Sequence, residues 1–307
     1  MKLTQIIGSC FVALLCSVLA HAQSERTFVS THGADNTDCG SSDLPCRSFS
    51  FALTKTNPGG EVIALDSGIY DPLNIVISQS VTLTAAPGVH AELSNPVNAG
   101  DRINVNAATS DDVVIRNLYL SKQGSGGTAN GIGVNRVGSL HIENCVISGF
   151  NFGIRFNPDA SAEGFIEDTT VRNCASDGVL VGSQAGTIKV SINHCRLQNN
   201  GRGLEVSFGK ATVRDTIASG NATSGFFVVG DGDLNLENCE ASNNQDGVAV
   251  EGTGPTSTIG TVSNSIITNN RRYGFLQSGG VFHSLGNNVV RRNGTNTSGA
   301  INLIPGT

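Results

Sequence analysis

The sequence lacks tryptophan and has only three tyrosines in 307 residues, and its charged residues make up 14% of the chain. An ordinary globular domain has about 25% charged residues, so this is not a charged, disordered chain. There is no long apolar run beyond residue 20, which excludes a protein with several membrane-spanning helices. The 38 glycines disfavour a helical fold, because each glycine in a helix interior costs about 1 kcal/mol relative to alanine.

The first 22 residues have the pattern of a cleaved secretory signal. Lys2 supplies the positive start, an apolar stretch runs from Ile6 to Leu19, and Ala20-His21-Ala22 is a small-x-small cleavage site. The apolar stretch is too short for a spanning helix. We therefore expect no transmembrane segment after signal removal and a secreted, periplasmic or extracellular location. An uncleaved anchor, or lipid attachment at Cys10, is the alternative.

The charge balance of the mature chain is acidic. Removal of the signal takes away one charged residue, Lys2, which leaves 18 basic and 25 acidic residues and a formal charge of −7. Nucleic-acid binding needs a cationic footprint, and the charges show no long run of one sign. We therefore expect no nucleic-acid partner.

A motif recurs along the chain at intervals of 21 to 27 residues. Each copy is centred on an anchor residue, usually small, with an aliphatic residue three positions before it. The residue directly before most anchors is Asn, Asp or His, which favour turns and tolerate left-handed backbone. A glycine follows each of six anchors after 8 or 9 residues. Each copy therefore predicts two or three short strands joined by tight turns. The anchors are Leu118, Cys145, Thr169, Cys195, Thr216, Cys239, Ser265 and Asn288.

One copy cannot bury its own apolar face, so the copies are expected to stack as the coils of a solenoid. Stacking would align the aliphatic positions, from Ile115 to Leu285, along the interior. It would also align an asparagine column five residues after the anchors, where side-chain amides could bond from coil to coil. Asparagines that merely form turns would give the same pattern. The column reads Asn200, Asn221, Asn244, Asn270 and Asn293, with Cys174 in one coil.

Six cysteines follow the signal, which would allow three disulfides in an exported protein. Cys39 and Cys46 flank a short loop and are expected to form a disulfide. Cys145, Cys195 and Cys239 are all anchors but alternate with threonines, so stacking places their sulfurs about 9–10 Å apart. That is too far for a disulfide, and we expect reduced thiols that fill a tight column. No zinc motif is present.

The first part of the mature chain differs from the repeats. Residues 23–60 predict a strand at Glu25–Ser30 and a short helix at Arg47–Thr56, which Asn57-Pro58-Gly59-Gly60 ends. Because a solenoid needs its open end covered, this segment is expected to be an N-terminal cap. Residues 61–307 would form the repeats, in one continuous domain with the cap.

Two stretches resemble the secreted right-handed parallel β-helix proteins, the pectate-lyase-like superfamily in its broad sense. One is the Asn-rich repeat, and the other includes Thr27-Phe28-Val29-Ser30, Pro45-Cys46-Arg47-Ser48-Phe49 and Gly68-Ile69-Tyr70. The resemblance implies an all-β fold, a single-stranded right-handed parallel β-helix of about ten coils with a strand and helix cap. It implies no one activity, because the superfamily holds lyases, hydrolases, epimerases and adhesins.

The motifs of individual enzyme families in that superfamily are not matched. Arg155-Phe156-Asn157-Pro158 has an Arg and a Pro, but not at the spacing of the pectate-lyase Arg-x-Pro-x-x-Arg motif. Asn36-Thr37-Asp38 and Asp111-Asp112 resemble parts of the polygalacturonase signature, without its Gly-His-Gly or Arg-Ile-Lys. The resemblance therefore identifies a fold and no specific enzyme family.

One exposed column carries the candidate catalytic residues. Two positions before the anchors, Glu143 and Glu167 would lie about 5 Å apart on adjacent coils, near the carboxyl spacing of retaining glycosidases. A solvated strand face would have the same composition. The column also contains Asn193, Arg214 and Glu237.

The expected cofactor is none, with calcium only if the protein is a lyase. The candidate ligands are Asp231 and Asp233, whose carboxylates suit calcium, although an acidic turn has the same sequence. The Gly-rich stretch at residues 124–127 is expected to be a flexible loop, because no Lys-Ser/Thr follows it.

Two functions agree with these observations. The first is a non-catalytic surface or interaction protein that contacts polysaccharide or other cell-surface components. Its difficulty is that Tyr70, Tyr119 and Tyr273 are too scattered to form a platform for sugars. The alternative is a divergent polysaccharide lyase or glycoside hydrolase that acts on acidic glycans. It predicts that Glu143 and Glu167, or another group of acids and Arg, converge with shifted pKa values.

Overall fold

The computed structural model describes residues 24–71, 73–95, 100–122, 128–183, 185–252 and 257–305. The signal at residues 1–22 and the Gly-rich stretch at 124–127 lie outside the described residues, so their predictions stay open. The described chain contains one short helix, α1 (Phe49–Leu53), and thirty strands. In order, β1–β10 are Ser24–Val29, Thr56–Ala64, Gly68–Ile69, Ile75–Ile77, Val81–Ala85, Ala91–Asn95, Asp101–Asn106, Asp112–Arg116, Leu118–Lys122 and Asn130–Arg136. Next, β11–β20 are Ser139–Glu143, Val146–Ser148, Ile154–Phe156, Ala162–Glu167, Thr170–Arg172, Asp177–Val181, Ile188–Asn193, Arg196–Gln198, Arg202–Arg214 and Ile217–Ser219. Last, β21–β30 are Ser224–Glu237, Glu240–Ser242, Asp246–Glu251, Ile259–Ser263, Ile266–Thr268, Tyr273–Ser278, Val281–Ser284, Val289–Arg291, Thr295–Ser298 and Ile301–Leu303.

The strands wind into a parallel β-helix, which confirms the fold expected from the repeat. Every pair in the ladders is parallel, and each strand pairs with the equivalent strand of the coils before and after it. Each coil crosses three faces. Sheet 1 consists of β2, β5, β8, β11, β14, β17, the second halves of β19 and β21, β24, β27 and β30. Sheet 2 consists of β4, β7, β10, β13, β16, the first halves of β19 and β21, β23, β26 and β29. Sheet 3 consists of β3, β6, β9, β12, β15, β18, β20, β22, β25 and β28.

The aliphatic column three positions before the anchors forms part of the core, as the repeat predicts. Ile142 pairs in register with Ile115 on one side and with Ile166 on the other. All three are almost completely buried. Because such residues recur along the repeats, the core is continuous along the axis. Each coil is stabilised by packing against its neighbours.

The sequence alignment of the last coil is wrong by one residue in sheet 1. Ser284, not Leu285, pairs with Val262, and Leu285 is only partly buried. The extra residue lies between Ser284 and the anchor Asn288, because the next residue, Val289, again pairs with Ile266 as the repeat predicts. An insertion of one residue moves a side chain to the opposite face of a strand, and the hydrophobic pattern did not reveal where it lies.

Two tight turns in each coil use left-handed backbone. Before the anchors, Asn144, Asp168 and His194 have φ values of 48°, 48° and 51°, as their residue types predict. These turns connect sheet 1 to sheet 3. The second left-handed column includes Asn199, at 55°, and Asn243, at 59°, and lies between sheets 3 and 2.

The asparagines five residues after the anchors form a continuous hydrogen-bonded ladder. Asn221 Nδ2 donates to Asn244 Oδ1 at 2.9 Å, and Asn244 Nδ2 donates to Asn270 Oδ1 at 3.1 Å. Each amide also bonds backbone groups: Asn244 Oδ1 accepts from the amide of Asn221, and Asn244 Nδ2 donates to the carbonyl of Ala218. The ladder thereby pairs polar groups that would otherwise be buried without partners.

Glycine is required next to this ladder. A Cβ on Gly225 would lie 2.8 Å from Asn244 Nδ2 and 2.8 Å from the carbonyl oxygen of Gly247. Both distances are shorter than real Cβ contacts, so the repeated glycine lets sheet 2 approach the asparagines.

The anchor column combines packing with hydrogen bonding. Cys145, Cys195 and Cys239 are buried and reduced. The intervening Thr169 accepts from the amide of Cys145 at 3.2 Å and donates to the carbonyl of Glu167 at 2.8 Å. The column therefore selects for hydroxyl chemistry as well as for volume.

The helix of the N-terminal segment packs on the first coil and is shorter than predicted. Helix α1 spans Phe49–Leu53 instead of Arg47–Thr56, because β2 already begins at Thr56. Ser48 caps the helix by accepting from the amide of Phe51. Asp71 of the first coil accepts from the amides of Phe49 and Ser50 at 2.7 and 3.1 Å.

Cys39 and Cys46 are joined by a disulfide, with 4.9 Å between their Cα atoms. It closes the loop between β1 and α1. Strand β2 passes through residue 60, so the segment and the first coil share a strand. The division into a cap at 23–60 and repeats at 61–307 stays a prediction.

Candidate functional site

The predicted carboxylate column lies on the outer face of sheet 1. The ladder register places Glu143 opposite Glu167, and Glu167 opposite Asn193. Arg214 and Glu237 are also in register and form an ion pair of 2.9 Å. The structure thus brings the sequence-predicted residues into one row on successive coils.

This row is an open surface and contains no buried charge. The side chain of Glu143 is 39% exposed, and that of Arg214 is 57% exposed. Arg116 lies opposite Glu143 in the ladder, but its guanidinium pairs with Glu61 at 2.8 Å. Glu167 accepts a long hydrogen bond of 3.5 Å from Asn193. Exposed pairs of this kind contribute about 0–1 kcal/mol each to stability, so folding alone does not require them.

An aromatic pair lies beside the carboxylates, and sequence inspection missed it. The rings of His141 and Phe165 stack with centroids 4.6 Å apart and planes inclined by 14°. Both side chains point outward from sheet 1 and are partly exposed. The signal was present in the sequence, because each residue lies four positions before the anchor of its coil, Cys145 or Thr169.

A shallow depression of about 320 Å³ adjoins the Phe165 ring. Its rim includes Lys189, Asn193 and Arg214. Lys189 pairs with Glu163 at 3.4 Å, and Arg214 with Glu237, so the cations of the rim are already neutralised. The depression therefore offers one aromatic face, amide and hydroxyl groups, and charges that are mostly paired.

A second cluster lies on the outer face of sheet 2. Arg202 Nη1 is 2.8 Å from Glu205 Oε2 and 3.4 Å from Asp177 Oδ1. The same guanidinium lies over the ring of Phe227, with 4.7 Å between its central carbon and the ring centroid. Two carboxylates therefore share one guanidinium nitrogen. The sequence analysis did not identify this cluster, although two of its members have fixed positions relative to the repeated glycines. Asp177 directly precedes Gly178, and Arg202 directly precedes Gly203.

Burial shifts the proton affinity of both acids in this cluster. The Asp177 side chain is only 3% exposed. Burial, reinforced by the charge of Glu205 and opposed by Arg202, raises the pKa of Asp177 to about 6. Burial likewise raises the pKa of Glu205, against the effect of Arg202. Two acids with raised pKa values thus converge with Arg202 on sheet 2. The alternative function predicted such a group of acids and Arg, either at Glu143 and Glu167 or elsewhere.

The candidate calcium ligands are part of an ordinary strand pair. Asp233 lies 3.1 Å from Lys210, and Asp231 lies opposite Phe208 in the ladder. Within the described ranges, the one group of three potential metal ligands is Asp35 with Cys39 and Cys46. The two sulfurs of that group are bonded to each other, so it does not fit a metal ion.

The reduced thiols are not nucleophiles in the folded protein. Burial raises the pKa of Cys145, Cys174 and Cys195 to about 12 and that of Cys239 to about 11. A thiol with so high a pKa carries almost no thiolate at neutral pH. They belong to the core and not to a reactive site.

The sequence matches the family model described as the right handed beta helix region over residues 75–214 and 152–304. No curated protein matches the chain in sequence. No helix of the described residues has the length and apolarity needed to cross a membrane.

Three solved structures share the fold at low sequence identity. An alginate lyase from Paenibacillus sp. str. FPU-7 is 15% identical, with a TM-score of 0.59 over 82% of this chain and 95% of that one. The pectate lyase Pel9A is 14% identical, with a TM-score of 0.54 over 92% and 78%. The GH136 lacto-N-biosidase from Eubacterium ramulus is 13% identical, with a TM-score of 0.53 over 91% and 68%. At this identity the likeness shows the fold alone.

Proposed function

Because the chain belongs to the right-handed β-helix family, a fold it shares with polysaccharide lyases and a glycoside hydrolase, we propose that it is an exported protein that binds polysaccharide without cleaving it. The observation that carries the proposal is the stacked pair of His141 and Phe165 beside an open depression. Export rests on the signal pattern of residues 1–22.

The chemistry of this surface suits a sugar ring. An aromatic face offers apolar contact to the C–H face of a pyranose at little entropic cost. The hydroxyl of Ser191 and the amide of Asn193 lie at the edge of the same depression and can bond sugar hydroxyls. A small number of polar groups around an apolar platform is typical of a specific ligand site.

The arrangement of the surface also suits a polymer. Successive coils repeat every ~4.8 Å along the axis, so the outer face of sheet 1 presents similar positions in a straight row. Since the cations of the rim are paired with acids, a neutral chain is accommodated more easily than a polyanion. We therefore expect glycans without carboxylates to bind best at this surface.

The test is a comparison of two variants against a panel of soluble polysaccharides. Phe165→Ala removes the platform and is expected to weaken binding about tenfold or more, from the loss of roughly 1.5 kcal/mol or more of ring contact. His283→Ala is the matched control, because His283 occupies the same outward column at the far end of sheet 1. Calorimetric affinities that are equal for Phe165→Ala and the parent protein would contradict the proposal.

A second candidate function follows from the cluster on sheet 2. We propose as the alternative a glycoside hydrolase in which protonated Asp177 donates its proton to the leaving glycosidic oxygen. Glu205 would act on the anomeric carbon, directly or through water, and Arg202 would hold the Glu205 carboxylate. The observation in its favour is the raised pKa of Asp177 beside a second acid. The low exposure of Asp177 weighs against it.

The alternative function has a second form, a lyase that acts on acidic glycans. Its candidate catalytic residues are Glu143, Glu167, Arg214 and Glu237. It would require calcium, with Asp231 and Asp233 as the candidate ligands.

One assay addresses both forms of the alternative. The protein is incubated with uronate polymers and calcium, and with neutral oligosaccharides, while unsaturated products and new reducing ends are measured. We expect no turnover. Turnover abolished by Asp177→Asn or by Glu167→Gln would replace the binding proposal with an enzyme.

A further inference from the structure

The outer edge of strand β1 is covered by a loop, whereas β2 pairs with its other edge. Phe28 donates its amide to the carbonyl of Gly40 and accepts from the amide of Cys46, both at 2.9 Å. Ser30 donates its amide to the carbonyl of Cys46, also at 2.9 Å. A strand edge with free backbone groups is a template for pairing with another chain. The loop therefore blocks the edge of β1 by using those groups itself.

The base of this loop is closed by hydrogen bonds that do not involve a sulfur. Ala34 donates its amide to the carbonyl of Pro45 at 3.2 Å. The carboxylate of Asp35 accepts from the amides of Arg47 and Ser48 at 2.8 and 3.0 Å. Bonds from backbone amides to a carboxylate are stronger than those between neutral groups. The base should thus stay closed whether or not the disulfide is formed.

The tip of the loop, residues 36–44, is held more weakly, and we call it the strap. Within the described residues, the strap makes two hydrogen bonds to the rest of the chain. Gly40 accepts from the amide of Phe28, and the carbonyl of Thr37 accepts from Lys55 Nζ, both at 2.9 Å. Most of the residues of the strap are exposed. Packing against the core therefore contributes little to its order.

The disulfide between Cys39, in the strap, and Cys46, in the base, is the remaining link. Two hydrogen bonds offset only a small part of the conformational entropy that nine ordered residues lose. A covalent bridge across so short a loop removes much of that entropy before the strap closes. Cys39 is 8% exposed, whereas Cys46 is completely buried. Cys39 is thus the half of the bridge that a reductant in solution reaches first.

We infer that the strap is a redox-controlled cover of the edge of β1. It is closed while the bridge is formed. A thiol reductant attacks the sulfur of Cys39 and releases Cys46 as a thiol, and a second thiol then frees Cys39. Two electrons and two protons pass to the protein, and the reductant becomes a disulfide. The strap then opens and frees the Phe28 amide, while the base and the repeats stay folded.

A disulfide oxidant closes the strap by the reverse exchange, which produces two thiols of the oxidant. Because disulfides persist in oxidising compartments, the closed strap agrees with the proposed export. The inference nevertheless goes beyond the proposed function and uses other residues. The platform of His141 and Phe165 lies on β11 and β14, so polysaccharide binding should be the same with the strap open or closed.

The test is amide hydrogen exchange with and without dithiothreitol, a dithiol reductant. The chain is used without residues 1–22, because these contain Cys10 and Cys16. On reduction, exchange of the Phe28 amide should become at least about 50-fold faster, as loop-closure entropy predicts for a bridge of this span. The Ser30 amide, bonded to the base, should keep its protection. The amide of Ile192, in β17, should also be unchanged.

A variant and a matched control separate the bridge from other effects of the reductant. Cys39→Ser should expose the Phe28 amide without reductant, and dithiothreitol should then add nothing. Cys239→Ser is the control, because it makes the same substitution in a column where Ser265 already accepts from the Cys239 amide. It should keep the Phe28 amide protected until reductant is added.

A Phe28 amide that stays protected in the reduced chain and in Cys39→Ser would overturn the inference, because the strap would then be closed without the bridge. Equal loss of protection at Ser30 would show that the base opens as well, which contradicts a strap limited to residues 36–44. Loss of protection at Ile192 would mean that the bridge holds the whole fold, and this too would overturn the inference.

Discussion

Asn221 and Asn244 lie one coil apart, and the side-chain amide of the first donates to the side-chain oxygen of the second at 2.9 Å. That oxygen also accepts from the backbone amide of Asn221, and Asn244 itself is completely buried. The same side chain donates to the carbonyl of Ala218, so it pairs two backbone groups of the neighbouring coil. Such bonds join neighbouring coils in addition to the contacts of the apolar core.

Replacement of Asn244 by alanine should therefore destabilise the protein by about 2–4 kcal/mol, because the amide groups of Asn221 and the carbonyl of Ala218 lose their partner and each buried unpaired group costs about 1–3 kcal/mol. Urea unfolding measures the change. Asn235→Ala is the control, since Asn235 is exposed on sheet 1 and should change stability by no more than about 0.5 kcal/mol. Equal effects of the two substitutions would show that the ladder carries no stability.

The four buried thiols should be unreactive in the folded protein. Cys145, Cys174, Cys195 and Cys239 are buried, and burial raises the pKa of each to about 11 or 12. A chromogenic disulfide reagent at about pH 8 is expected to titrate none of them in buffer and all four in denaturant without reductant. The chain is used without residues 1–22, which contain Cys10 and Cys16, so six reactive thiols in denaturant would mean that Cys39 and Cys46 are not bonded. Rapid reaction in buffer would place a thiol at the surface.

Asp177 should make stability depend on pH. Its pKa in the folded protein is about 6, above the value of ~3.9 of an unfolded chain. The folded state therefore binds the extra proton, so the contribution of Asp177 to stability is fully present below about pH 4 and is lost as the pH rises to about 6. From the size of the shift, the loss is about 2–3 kcal/mol.

Asp177→Asn should abolish this loss. The difference in unfolding free energy between variant and parent, measured in urea, is expected to grow in favour of the variant between pH 4 and pH 7. Glu163→Gln is the control, because Glu163 is an exposed acid paired with Lys189, and it should give a nearly constant difference. A difference for Asp177→Asn that does not vary with pH would contradict the burial of its charge.

The contact between helix α1 and the first coil should depend on Asp71. Its carboxylate accepts from the amides of Phe49 and Ser50, and it lies close to Arg102, which is 1% exposed. Asp71→Ala leaves two buried amides unpaired and weakens the charge balance of a buried guanidinium. We expect a loss of about 3–5 kcal/mol, measured by thermal unfolding, against almost none for the exposed Asp43→Ala. A small effect of Asp71→Ala would mean that helix α1 packs on the first coil without these bonds.

The repeat could be recognised in the sequence because the inward-facing aliphatic residues lie at a constant distance along the chain from the anchors. The spacing from Ile142 to Cys145 recurs at Ile166 and Thr169, and the structure pairs the two isoleucines. The same regularity predicted left-handed turns at Asn144 and Asp168. Where an insertion intervened, as between Ser284 and Val289, the pattern could not show which residue pointed inward.

The clusters of the surface were harder to predict. Asp177 and Glu205 follow loops of variable length after their anchors, so their register with each other was not readable without the ladder. Their shifted pKa values depend on burial by neighbours from several coils, which no spacing encodes. The spacing from the anchors places His141 and Phe165 next to each other on the outer face of sheet 1. Prediction of the stacked pair also requires the expectation that a histidine and a phenylalanine can stack.

The proposed function requires a polysaccharide to lie on the aromatic pair of sheet 1. Hydroxyl-radical footprinting with and without a polysaccharide that binds measures this contact, because exposed rings are oxidised and covered rings are not. We predict that oxidation of Phe165 falls severalfold on binding, while that of Phe51, in helix α1, stays the same. Unchanged oxidation of Phe165 at saturating polysaccharide would contradict the account.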